Sequence, residues 1–158
     1  MATALPRDFK EFLRLLNSNN VRYLLIGGYA INFYGYSRNT EDLDVWVEIA
    51  PQNADKIASA LRAFGFHAAT PDLFLEKNRV VRMGVPPMRI ELLTTISGVQ
   101  FDACYAHRRV ERIDEIEVPI ISPDDLRANK LAAGRLKDLA DAERLEGIQL
   151  KNPKSDTF

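Results

Sequence analysis

The sequence predicts an α+β (α/β) domain: a small mixed β-sheet flanked by helices, with a further helical segment at the C-terminal end. Three observations carry this. Phe9, Phe12, Leu13 and Leu16 recur at helical spacing, Val21–Ile26 is a nearly continuous apolar run, and Glu41–Ile49 alternates polar with apolar residues. Periods of 3.6 and 2 interleaved along one chain place helices around a sheet.

The first element is a helix from about Pro6 to Asn17, stopped by the turn-forming Asn17-Ser18-Asn19-Asn20. Val21–Ile26 reads as a strand buried on both faces. Gly27-Gly28 ends it, and a short helix follows over Tyr29–Tyr34. In Glu41–Ile49, Leu43, Val45, Val47 and Ile49 share one strand face, and Asp42, Asp44, Trp46 and Glu48 share the other. A helix is expected from Pro51 to Phe64, closed by Gly65. Val80–Val85 and Met88–Leu93 are strands separated by Pro86-Pro87, which cannot continue a ladder. Phe101–Tyr105 and Ile116–Ile121 are read as two further strands. Ser122-Pro123-Asp124-Asp125 has the hydroxyl cap, early proline and first-turn acids of a helix start. That helix runs to Ala133, breaks at Gly134 and resumes from Arg135 to about Leu145.

The chain has 158 residues, which suits a single domain, expected over 1–150 with a polar tail at 151–158. Lys plus Arg number 21 against 22 Asp plus Glu, so a generally basic, nucleic-acid-coating surface is excluded and any phosphate site must be local. One cysteine, Cys104, excludes an internal disulfide framework and suits a reducing compartment. The N-terminal MATALPRDFKEF lacks the pattern of a secretory signal, and no apolar run approaches a membrane span. A cytoplasmic protein with no membrane association is the expectation.

Asp42-Leu43-Asp44-Val45 is the strongest chemical feature. Side chains at i and i+2 of a strand point the same way, about 6.6 Å apart along the chain. Two carboxylates can thus converge on a divalent cation while Leu43 and Val45 anchor the opposite face. At about 5 Å and an effective dielectric of 20, two such charges repel by roughly 3 kcal/mol, which a cation would offset. A solvated strand face is the plainer alternative for an isolated pair.

Three neighbours strengthen the chemical reading. Gly27-Gly28, between strand and helix, lets backbone approach a ligand and presents amides to an anion; a tight turn is its plainer role. Glu91, inside Met88-Arg89-Ile90-Glu91-Leu92-Leu93, is costly to bury unpaired. It would pair with Arg89 or another base, hold a second cation, or accept a proton from an attacking hydroxyl. The basic residues Arg38, Lys130, Arg135 and Lys137 could hold phosphates opposite the acids, although Lys130, among Leu126, Leu131 and Ala133, also suits a snorkelling stem.

The combination of Gly27-Gly28-Tyr29-Ala30, Arg38-Asn39-Thr40-Glu41-Asp42-Leu43-Asp44, Ile90-Glu91-Leu92-Leu93, Asp125-Leu126 through Lys130, Gly134-Arg135 and Lys137-Asp138-Leu139 resembles the nucleotidyltransferase superfamily that includes DNA polymerase β. More closely, it resembles the small bacterial nucleotidyltransferases related to the AbiEii and MenT toxin group. The likeness spans roughly Val21 to Leu145. It implies a nucleotidyltransferase-like fold in which Asp42, Asp44 and Glu91 are the catalytic, metal-binding acids. Gly27, Gly28, Arg38, Thr40, Lys130 and Asp138 would serve the nucleotide, with Lys130 on the triphosphate. Two Mg²⁺ ions (or Mn²⁺), an NTP substrate and an acceptor hydroxyl on RNA, protein or a small molecule are implied, as is a toxin–antitoxin partner chain. Two departures stand out: the third acid is commonly Asp and here is Glu91, and nothing in these residues resembles an added acceptor-binding domain. A non-catalytic nucleotide-binding or protein-interaction module is the rival reading.

Smaller signals point elsewhere or nowhere. Asp102, Cys104 and His107 do not make up a zinc ligand set, His67 being the other histidine. His107 has no evident orienting residue for nucleophilic catalysis. Trp46, on the Asp42–Asp44 face, would stack on a base or pack under a covering helix, and Asp141, Glu143 and Arg144 read as a solvated helix face.

Overall fold

The computed structural model describes residues 5–35, 40, 42–85 and 88–151. Helix α1 (Arg7–Ser18) buries Phe9, Phe12, Leu13 and Leu16, the stripe that its periodicity sets. Strand β1 (Tyr23–Ile26) is buried at every position. It leads directly into α2 (Gly27–Phe33), so the second helix begins at the glycine pair. Strand β2 (Asp42–Val47) follows, then α3 (Pro51–Phe64), β3 (Val80–Met83) and β4 (Arg89–Leu93). A short 3-10 helix at Pro71–Phe74 lies between α3 and β3. Next come α4 (Phe101–Ala106), β5 (Arg109–Ile113), β6 (Ile116–Ile120), α5 (Pro123–Ala133) and α6 (Leu136–Lys151).

The strands form one six-stranded mixed sheet in the order β3-β4-β2-β1-β6-β5. β1 runs antiparallel to β2, pairing Ile26 with Asp44. β2 runs parallel to β4, with Asp42 beside Arg89 and Asp44 beside Glu91. β3 and β5 are antiparallel to β4 and β6 and close the two sides. The expected mixed sheet with flanking helices is thus the observed architecture.

Leu43, Val45 and Val47 are fully buried, as the alternation requires. β2 stops at Val47 rather than Ile49. There the Asn53 amide of α3 donates to the carbonyls of Glu48 and Arg22 and accepts the Arg22 N–H. One buried side chain therefore satisfies the backbone where the β1–β2 ladder ends.

Two expectations are corrected. Phe101–Tyr105 is helical, not a strand. A short apolar run fits either period, and here the i,i+4 pair Phe101 and Tyr105 stacks at 5.4 Å while Cys104 turns into the core. Phe101 also packs edge-on against Trp46 at 5.2 Å, which settles Trp46 beneath a covering helix, its indole N–H donating to the Thr94 carbonyl. Asp141 does not lie on a solvated face: it is buried, within 3.6 Å of Lys130. The α5–α6 hairpin turns that part of α6 inward, while Glu143 and Arg144 stay exposed. Strand β5, rich in charged residues, was not anticipated; it pairs along all of β6 and stands at the sheet edge.

Candidate active site

The site forms where β1 ends and α2 begins. Gly27 has φ +72°, a left-handed conformation, and a side chain there would collide with the Asp44 carboxylate. Gly28 faces Thr40 in the same way, and a Cβ at Gly28 would overlap the threonine hydroxyl. Glycine is required here because backbone and functional side chains approach so closely. Thr40 Oγ1 lies 3.4 Å from the Asp42 carbonyl, to which it donates.

Register then gathers the acids. Asp42 and Asp44 share a face of β2, and the parallel pairing sets Glu91 beside Asp44. Burial, then the charge of Glu91, then that of Asp42, push the Asp44 carboxyl up to about 7; Lys130 opposes the shift. Two arginines border the acids. Arg89 donates from Nη2 to Asp42 Oδ2 at 2.9 Å, and its Nε lies 3.4 Å from Glu91 Oε2. Arg82 of β3 donates to the same Glu91 oxygen at 2.9 Å. Glu91 therefore has both the arginine partner that its sequence suggested and the proximity to Asp44 that catalysis would need.

The other wall comes from the C-terminal hairpin. Ser122 caps α5, its hydroxyl accepting the Asp125 N–H. Lys130, in the last turn of α5 and 8% exposed, directs Nζ to Asp138 Oδ1 at 3.5 Å and Asp141 Oδ2 at 3.6 Å. Asp138, in the first turn of α6, is fully buried and accepts from the backbone N–H and the guanidinium of Arg135. Burial alone would raise its carboxyl, but the Arg135 hydrogen bond and the Lys130 and Arg135 charges together hold it below the usual carboxylate range.

Between the walls lies a cleft of about 390 Å³. Gly27, Asp44 and Glu91 line one side, Lys130, Arg135 and Asp138 another, and Asn78, Thr95, Ser97 and Asn129 supply polar groups. The fold thus brings Gly27, Gly28, Thr40, Asp42, Asp44, Glu91, Lys130 and Asp138 into one region. Arg38 lies outside the described residues. Lys137 is exposed, and Lys137 is not among the residues lining the cleft. Asp141, Arg82 and the contact of Arg89 with Asp42 were not foreseen. Arg89 and Glu91 repeat the i,i+2 spacing of Asp42 and Asp44 on the neighbouring strand, a signal that pointed to a four-residue cluster.

The donor set suits a hard divalent cation. Among the described residues no three acids, histidines or cysteines are already grouped about one metal position. Mg²⁺ commonly takes only one or two protein carboxylates and completes its shell with water and substrate phosphates. Asp42 Oδ1 is a buried carboxylate oxygen with no hydrogen-bond partner among the described residues, and an acceptor in that position is what such an ion would satisfy.

No protein-family model matches this sequence, and no curated protein matches it. Solved structures do. The chain is similar to TM1012 of Thermotoga maritima, an assigned nucleotidyltransferase, at TM-score 0.54 and 14% identity, with 92% of each chain covered. It is similar to the lincosamide antibiotic adenylyltransferase LnuA, solved with lincomycin bound, at TM-score 0.53 and 13% identity, over 92% of this chain and 98% of that one. It also matches the antibiotic-resistance factor ANT(2'')-Ia at TM-score 0.55 and 11% identity, over 95% and 91%. The chain has the fold of nucleotidyltransferases. Among the described residues, no helix is long and apolar enough to cross a membrane.

Proposed function

We propose that this chain is a divalent-cation-dependent nucleotidyltransferase that moves a nucleoside monophosphate from an NTP to an acceptor hydroxyl. The observation that carries the reading is a cleft with Asp44 and Glu91 on one side and Lys130 on the other, with Asp42 two residues from Asp44 on the same strand. Acids on one wall and a fixed ammonium on the other suit a metal-bridged triphosphate.

In this reaction the acceptor oxygen bonds to the α-phosphorus, the α–β bridging P–O bond breaks, and pyrophosphate leaves with that electron pair. The bound cation, Mg²⁺ or Mn²⁺, would supply Lewis-acid stabilisation of the phosphoryl oxygens. Asp42 and Asp44 would hold it, with Glu91 as the third acid. Glu91, beside Asp44 across the strand pair, would take the proton of the attacking hydroxyl. Lys130 and the amides following Gly27 offset triphosphate charge, so catalysis is mainly positioning and electrostatics.

The antibiotic-modifying neighbours, matched over nearly their whole lengths, support a small-molecule hydroxyl as acceptor. The RNA and protein acceptors of a toxin–antitoxin system belong to the same proposal at the level of acceptor. A second reading, a nucleotide-binding module without transfer, draws on the ion pairs of Arg82 and Arg89 with Glu91 and Asp42. One experiment separates these. The protein is incubated with α-labelled NTPs, Mg²⁺ and, in separate arms, hydroxyl-bearing antibiotics including lincosamides, total RNA, and a protein extract. Label transfer that vanishes in Asp42→Asn/Asp44→Asn supports the enzyme; NTP binding without transfer in any arm supports the module; transfer that survives the double variant overturns the site.

A further inference from the structure

We infer that Arg89 is a positioning residue for the cation-binding acids, an inference that rests on the reading of Asp42 and Asp44 as cation ligands. Arg89 engages Asp42 through Oδ2 alone, at 2.9 Å. Asp42 Oδ1 is left buried and without a hydrogen-bond partner among the described residues. On Glu91, Arg89 and Arg82 both address the same oxygen, Oε2, at 3.4 and 2.9 Å. Asp42 thus has one oxygen fixed by the Arg89 guanidinium while the other is spared, and Glu91 has Oε2 hydrogen-bonded by Arg82 with Arg89 Nε in ion-pair range.

That division is what an outer-shell partner of a metal ligand provides. A carboxylate has acceptor sites on both oxygens, and a hydrogen bond to one fixes the rotation that aims the other. Arg89 can serve two acids at once because it stands beside Asp42 across the strand pair and two residues from Glu91 on its own strand. Its planar guanidinium hydrogen-bonds Asp42 through Nη2 while Nε stays in ion-pair range of Glu91, a fixed spacing that a lysine ammonium lacks. Arg82, 59% exposed at the side chain, pairs with Glu91 and, among the described residues, leaves Asp42 to Arg89.

The alternative is that Arg89 is only a counter-cation, occupying acids that a metal would otherwise take. The two roles predict opposite signs. Removing a positive charge beside a cation site strengthens cation binding if charge is all that matters. It weakens binding if the lost group was aiming the ligands.

The test is Mn²⁺ binding to the full chain without nucleotide, followed by electron paramagnetic resonance, for wild type, Arg89→Gln and Arg89→Lys. Each protein is held well below its own melting midpoint so that unfolding does not enter. The expected result is about tenfold weaker Mn²⁺ binding in both variants, the size typical of lost outer-shell partners. The lysine variant keeps the charge, so weakening there isolates the geometry of the fork. Binding in Arg89→Gln that is tighter, equal or weakened by less than about threefold overturns the positioning role, as does full rescue by Arg89→Lys. Wild-type protein that binds no Mn²⁺ overturns the cation-site reading itself, a different outcome.

Discussion

Asp44 on β2 and Glu91 on β4 stand directly opposite one another across a parallel strand pair, with Asp42 two residues away on the same strand as Asp44. Like charges held this closely destabilise a fold unless a cation, a proton or a guanidinium intervenes. The cluster is therefore a place where function works against stability, and the two can be separated experimentally.

Replacing Asp44 by Asn is expected to raise the melting temperature at pH 8 in EDTA by a few degrees, because a partly buried carboxylate facing two others is removed. For a domain of this size 1 kcal/mol corresponds to about 2–4 °C. The same variant loses the thermal shift that Mg²⁺ with NTP gives wild type. Differential scanning fluorimetry reads both, and a lower melting temperature in EDTA would contradict the repulsion argument.

Gly27→Ala adds a methyl group where φ is +72° and where the Asp44 carboxylate already lies. The left-handed conformation alone costs roughly 1–2 kcal/mol for a non-glycine residue, and the collision adds to it. Urea denaturation is expected to show a lower midpoint at unchanged slope, together with weakened nucleotide binding.

Lys130 is held between two buried acids, Asp138 and Asp141. Lys130→Met leaves Asp141 with its lysine partner gone and Asp138 supported by Arg135. Breaking a buried pair on one side costs about 3–5 kcal/mol. Lys130→Met/Asp141→Asn is expected to regain most of that loss without regaining NTP affinity. Recovery of both would mean that Lys130 serves only the hairpin.

The Asp138 carboxyl is held below its ordinary value of 3.8 in the folded chain. Where the folded pKa lies below the unfolded one, the unfolded chain binds the proton more readily. The contribution to stability is therefore present above the ordinary value and is lost as pH falls through the lowered one. Thermal melts across that acid range should fall less steeply for Asp138→Asn than for wild type. Identical slopes would show that the Arg135 and Lys130 contacts do not bias its protonation.

Much of this protein is legible in its sequence by itself. The stripe of Phe9, Phe12, Leu13 and Leu16, the alternation through Asp42–Val47 and the Ser122 cap each depend on residues a few positions apart, and each forms as read. The shared face of Asp42 and Asp44 follows from the period of a strand. What only the tertiary structure decided is which distant residues meet. Phe101–Tyr105 suits either period, and packing on Trp46 makes it helical. The meeting of Asp44 with Glu91, and of Asp42 with Arg89, depends on the parallel register of β2 with β4. A slip of one residue would turn every side chain of β4 to the other face. Burial of Asp138 and Asp141 around Lys130 likewise waits on how α6 folds back on α5. Local pattern fixes which way a side chain points within its element; long-range register and docking decide what it faces.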